Sequence, residues 1–177
     1  MESSCILVVA YLGRPEVLNM KLIDENIRFD KTLYSLRKIV KEINNKTSVY
    51  VSLTGDLKQS KLLESYFDNI SNIFFFYSIQ NESDISKGNG YLENSSIVKS
   101  INYFELDKKY KYIIKVTGKY YPSNIIDVMN YTKEISHSGY QSVAWKNFRK
   151  NQVDTRVFIF NPLFYLNSQV YLKKISF

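Results

Sequence analysis

One cysteine and one histidine in 177 residues are too few for several kinds of chemistry. Cys5 has no partner for an intrachain disulfide, and within Cys5-Ile6-Leu7-Val8-Val9-Ala10 it reads as a buried strand thiol. One cysteine and one histidine also fall short of the usual ligand set of a zinc site. His137, in Ser136-His137-Ser138-Gly139, reads as a solvated loop side chain, and Ser138 lacks the strand-turn-helix setting of a nucleophile elbow. Hydrolase chemistry through a nucleophilic triad is therefore not expected. The N-terminal apolar stretch is too short to span a bilayer and has no basic leader or small-residue cleavage site, so cytoplasmic residence is the expectation. No internal repeat, coiled coil or low-complexity segment is found.

What is present points to one α/β domain covering residues 1–177. The length and 45% hydrophobic content suit a single core, and Tyr 15 with Phe 11 predict a substantial sheet. A formal charge of +7 favours anionic partners such as nucleotide phosphates, acidic headgroups or nucleic acid. The charge is spread along the chain, the tyrosines fall mostly in strands that read as buried, and no RNA-binding signature occurs, so nucleic acid is not an expected partner.

Ile6–Leu12 reads as a strand buried on both faces that breaks at Gly13-Arg14-Pro15. Phe29, Leu33, Leu36, Val40 and Ile43 recur at helical spacing, with Arg28, Lys31, Arg37, Lys38 and Lys41 between them. Val49–Leu53, Ile73–Ile79 and Tyr112–Val116 read as further strands, separated by helices around Leu63 and Ile101. A short helix is expected over Ile125–Tyr131, a mobile polar loop over Glu134–Gln141, strands over Ser142–Phe148 and Arg156–Phe160, and a tail of alternating character to Phe177. Strands alternating with short helices predict an open, mostly parallel sheet flanked by helices.

Three constellations carry candidate chemistry. Lys87-Gly88-Asn89-Gly90 leads into a helix with Glu93 in its first turns, an arrangement of flexible backbone, exposed amides and positive charge that suits a phosphate. Lys115-Val116-Thr117-Gly118-Lys119-Tyr120 lies at the carboxyl end of a predicted central strand, where open α/β sheets bind ligands. Lys115 must meet an anion or reach water, whether that anion belongs to a ligand or to a structural ion pair. Asp154-Thr155-Arg156 opens a core-like strand, where a carboxylate suits a base and an arginine suits a phosphate. Arg14 and Asp56 follow the first two strands and would share one crevice in a doubly wound order.

Taken in order, Asn26–Leu36, Lys87-Gly88 with Glu93, Ile113–Tyr120 and Asp154–Phe158 resemble a family of bacterial GT-A-type glycosyltransferase-like proteins of capsule and lipopolysaccharide synthesis. The resemblance implies a Rossmann-type domain whose residues 1–121 bind a nucleotide-diphosphate sugar and whose residues 122–177 form a short acceptor side. It implies that Arg14 and Asp56 meet base and ribose, and that Lys87, Gly88, Lys115, Thr117, Gly118, Lys119 and Tyr120 surround the diphosphate and sugar. Asp154 would be the base, with Glu93 its rival, and Lys115, Lys119 and Arg156 would stabilise the departing diphosphate.

Many such enzymes hold manganese or magnesium with an Asp-x-Asp pair. Here the comparable strand end reads Thr117-Gly118-Lys119, so no metal or other cofactor is assigned. The acceptor implied is a glycan or lipid-linked glycan. A homodimer and peripheral contact with the inner face of the membrane, through Tyr171, Lys173, Lys174 and Phe177, fit the same picture. The chain is also short for the type, which implies a minimal enzyme, a site completed by a partner, or a truncated relative without activity. The alternative from another class is a noncatalytic interaction domain in polysaccharide assembly.

Overall fold

The computed structural model describes residues 2–13, 24–79, 87–147 and 152–175. The first strand, β1 (Glu2–Leu12), has no exposed residue from Ser4 through Ala10, so both of its faces are covered. Helix α1 (Glu25–Ile43) starts where Asp24 accepts a hydrogen bond from the Asn26 amide at 2.7 Å, and it stops at Asn44 in the left-handed conformation. The chain continues through β2 (Val49–Gly55), α2 (Leu57–Ser65), β3 (Ile73–Tyr77), α3 (Asn89–Phe104), the single turn α4 (Leu106–Lys109) and β4 (Tyr110–Thr117). It ends with α5 (Ile125–Ser138), β5 (Ser142–Asn147), β6 (Gln152–Phe160) and α6 (Pro162–Ile175).

Among the described residues the strands form one sheet in the order β3-β2-β1-β4-β6-β5. The β1–β2, β2–β3 and β1–β4 pairs are parallel, whereas β6 runs antiparallel to both β4 and β5. The chain moves from β1 outward through β2 to β3 and then returns to place β4 on the other side of β1. That reversal puts the switch point, and its crevice, at the carboxyl ends of β1 and β4.

The sheet's two faces differ in chemistry. Ile6, Val8, Val51, Ile114 and Val116 meet α1, α2 and α5 through Leu36, Ile39, Leu63, Ile125 and Val128 in the larger apolar core. On the opposite face Cys5, Leu7, Ile113 and Phe160 meet α3 and α6 through Ile97, Ile101, Tyr165 and Leu166. The carboxyl half of this second face is polar: Thr54 bonds Ser96 at 3.1 Å, and Ser96 donates to Ser78 at 3.3 Å.

Two expectations need correction. Glu134–Ser138 is not a loop but the end of α5, because Thr132 and Ile135 continue the buried stripe and Gly139 caps the helix at φ 75°. The polarity of that segment belongs to its exposed face. The tail is likewise helical: Asn161 accepts from the Phe164 amide at 2.8 Å, and Pro162 fits the first helical position, where no amide partner is needed.

Close packing marks where β4 leaves the sheet. The Gly118 amide donates to the Val9 carbonyl at 2.8 Å, and a Cβ at Gly118 would stand 2.4 Å from the Ala10 Cβ. We predict that Gly118→Ala destabilises the chain by about 1–3 kcal/mol, as overpacking does. Urea unfolding should show partial recovery when Ala10→Gly is added; equal losses in the single and double variants would refute the close-approach explanation.

Candidate functional site

At the exit of β1, Gly13 adopts φ 82° and a Cβ there would lie 2.7 Å from the Asp56 Cβ. The Asp56 amide donates to the Leu12 carbonyl at 3.1 Å, and its carboxylate accepts from the Gln59 amide at 2.7 Å, capping α2. Gln59 returns the connection by accepting from the Gly13 amide at 3.1 Å. These contacts lock the ends of β1 and β2 together, with the Asp56 side chain at the surface.

Arg28 departs from its reading as an outward residue of an amphipathic helix. It is 5% exposed, and its guanidinium lies 5.6 Å from the centre of the Tyr11 ring. The helical stripe alone does not mark it, since the first turn of α1 passes over the strand ends and there even a basic residue is covered. The usable signal is its position in the first turn of the helix that follows β1.

Lys115 has no solvent exposure, and its ammonium lies 2.5 Å from a Glu93 carboxylate oxygen. It also donates to the Thr117 hydroxyl at 2.8 Å, and Thr117 donates in turn to Glu93 at 3.1 Å. The ring of Phe158 covers Lys115 at 5.4 Å. A buried cation is tolerable when it is paired and hydrogen-bonded, so the triangle satisfies Lys115 while joining α3 to β4. Tyr165 of α6 closes the same side by donating to Asn94, whose amide donates to Gln169 at 2.8 Å. Burial, reinforced by the nearby Glu93 charge, pushes the Tyr165 hydroxyl up to about 12.

Gly88 caps α3 at φ 86° and ψ 172°, with open space where a Cβ would be, so it serves backbone conformation rather than packing. Lys87 is exposed and stands 4.4 Å from the centre of the Tyr91 ring. On the other side of the strand end, Lys119 lies 5.5 Å and Arg156 lies 5.1 Å from the centre of the exposed Tyr120 ring. Beside them an open cleft of about 310 Å³ is lined by Tyr120, Tyr121 and Pro122, by Val128 of α5, and by Arg156 and Val157 of β6.

The structure thus brings Glu93, Lys115 and Thr117 into contact, and gathers Lys119, Tyr120 and Arg156 into a second group next to them. Arg14 lies outside the described residues, and of Asp154 only the backbone in β6 is described.

No family model matches the sequence, and no curated protein matches it. Solved structures do match in fold. A protein assigned as a nucleotide-diphospho-sugar transferase from Desulfovibrio desulfuricans G20 aligns with a TM-score of 0.56 and 11% identity, over 92% of this chain and 64% of its own. The likeness to that protein is one of fold. A cytidylyltransferase from Leptospira borgpetersenii serovar Hardjo-bovis (strain JB197) aligns with a TM-score of 0.55 and 18% identity, over 100% of this chain and 66% of its own. The chain therefore spans just under two thirds of the length of either protein. Among the described residues no helix is long and apolar enough to cross a membrane.

A divalent cation does not fit the residues at the end of β4. Thr117 is bonded to Glu93, Glu93 is paired with Lys115, and Lys119 adds another positive charge. Among the described residues no three His, Cys, Asp or Glu side chains converge as a metal site would require.

Two predictions follow from the Lys115 environment. Glu93→Gln should lower stability by about 3–5 kcal/mol because it strands a buried ammonium, whereas Lys115→Met should lower it by less, because Glu93 retains access to water. Urea titrations giving the reverse order would refute this account. Native Tyr165 keeps its proton up to about 12 while the unfolded phenol loses its proton near 10.0, so its contribution to stability is present below that lower value and lost as pH rises between the two. Tyr165→Phe should flatten this part of the alkaline stability profile.

Proposed function

We propose that the chain is a glycosyltransferase that moves a sugar from a nucleoside diphosphate to a growing surface polysaccharide or lipopolysaccharide, without an Asp-x-Asp metal site. The supporting observation is convergence at one rim of the sheet. There the exits of β1 and β2 are tied through Gly13, Asp56 and Gln59, and the exit of β4 is tied to the start of α3 through Lys115, Thr117 and Glu93.

In this reading the nucleoside lies over the exits of β1 and β2, near Arg14 and Asp56. The diphosphate faces the amides that start α3 at Gly88, with Lys87 and Lys119 supplying positive charge where the leaving group becomes negative. Lys115 is a positioning residue: enclosed and paired, it holds α3 and Thr117 in place. Because Glu93 is committed to that ion pair, Asp154 is the proposed base. It takes a proton from an acceptor hydroxyl as that oxygen bonds the anomeric carbon and the bond to the diphosphate breaks.

A second reading, a noncatalytic interaction domain in polysaccharide assembly, draws on the same triangle. Two residues expected to face substrate, Lys115 and Glu93, instead hold the fold together. Thermal unfolding with nucleoside diphosphates and nucleotide sugars, with and without manganese, separates the two. A ligand at about a hundred times its Kd should raise Tm by about 5–10 °C, and Lys119→Ala should shrink that rise at the same concentration. No rise with any of them, together with a co-purifying assembly protein, would favour the noncatalytic reading.

A further inference from the structure

The cleft beside Tyr120 lies on the α5 face of β4 and β6, whereas Lys115, Thr117 and Glu93 lie on the α3 face. Its walls are fixed from behind. Ser35 of α1 donates to the Tyr120 carbonyl at 2.7 Å, the Tyr120 amide donates to the Thr117 carbonyl at 2.9 Å, and the Tyr121 hydroxyl donates to Glu42. A recess held by three bonds to α1 and β4 is preformed, as small-molecule sites usually are.

Charge and shape then narrow what can occupy it. Arg156 stands against the Tyr120 ring, which is 38% exposed, so an aromatic face and a cation meet at the cleft mouth. Asn124, which also lines the cleft, makes no side-chain capping bond to α5, whose positive end opens here. At about 310 Å³ the volume is at the small end of ligand pockets, which suits one ring rather than a chain. The guanidinium favours a planar or tetrahedral oxyanion, and the aromatic face favours the apolar side of a ring.

We propose that this cleft binds an anionic sugar residue, bearing a carboxylate or a phosphate monoester, as the recognised unit of the acceptor. The charged group meets Arg156, and the ring lies on Tyr120 and Pro122. The word acceptor rests on the transferase reading; the binding does not. Placement on the α5 face leaves the rim over β1, β2 and α3 to the nucleotide.

The test is a titration of the isotope-labelled chain, followed by amide shifts, with methyl glucuronide, glucose 6-phosphate, methyl glucoside and inorganic phosphate. The two anionic sugars should move the amides of Tyr120, Tyr121 and Asn124, and bind at least about tenfold more tightly than methyl glucoside or phosphate. Which anionic sugar binds more tightly identifies the charged group. Arg156→Ala should weaken both by about tenfold or more, the loss expected from one charge-assisted bidentate contact, and Tyr120→Ala should weaken them with Tm unchanged. Equal binding of methyl glucoside, phosphate binding as tightly as glucose 6-phosphate, or indifference to Arg156→Ala would each overturn the proposal. So would competitive displacement by uridine diphosphate, which would assign the cleft to the donor. If uridine diphosphate and the other nucleotides fail to bind while the anionic sugars succeed, the transferase reading falls and the cleft assignment stands.

Discussion

An ammonium group that water does not reach has to be neutralised by something the chain itself supplies, and at Lys115 that requirement organises the rim of the sheet. Lys115 sits opposite Leu7 on one side and Phe158 on the other, in register with a parallel and an antiparallel neighbour. Glu93 can neutralise it only if the first turns of α3 come down onto β4, and Thr117 completes the arrangement by bridging the two charges. The position of Gly88, of the α3 amides and of the chain leaving β4 all follow from that contact. Gly118 then presses against Ala10, Lys119 is partly covered, and Tyr120 emerges into the open.

The same strand end serves two surfaces of different character. On the α3 side the polar groups are mutually satisfied: Thr54, Ser78 and Ser96 share hydrogen bonds, and Lys115 shares its charge with Glu93. On the α5 side an apolar core reaches almost to the rim and then gives way to a recess lined by Tyr121, Val128 and Val157. A sheet whose strands cross from one environment to the other within two residues can present separate sites on its two faces, because successive side chains point in opposite directions.

Much of this architecture was legible from local pattern. Continuous apolar runs mark β1, β2 and β4 because both faces of a central parallel strand are covered, and the stripe from Phe29 to Ile43 marks α1. Legibility failed where polarity was mistaken for irregularity. Glu134–Ser138 is helical because Ile135 is buried, whatever its neighbours expose, and the tail after Asn161 is a helix held by its cap and by Tyr165 and Leu166 against the second core. Arg28 was assigned to the wrong side of its helix, since a helical wheel describes a helix in isolation and not the strand ends it overlies.

The sequence by itself determined the alternation of strands and helices, and it determined that Lys115, set in an apolar strand, needs an anion. Which anion, and whether Lys115 could still reach a ligand, was decided only in three dimensions. Glu93 and Phe158 lie far from Lys115 along the chain and meet it through strand order and helix placement. The partner of a buried charge is a property of that packing, whereas the periodicity of a strand or a helix is written in neighbouring residues.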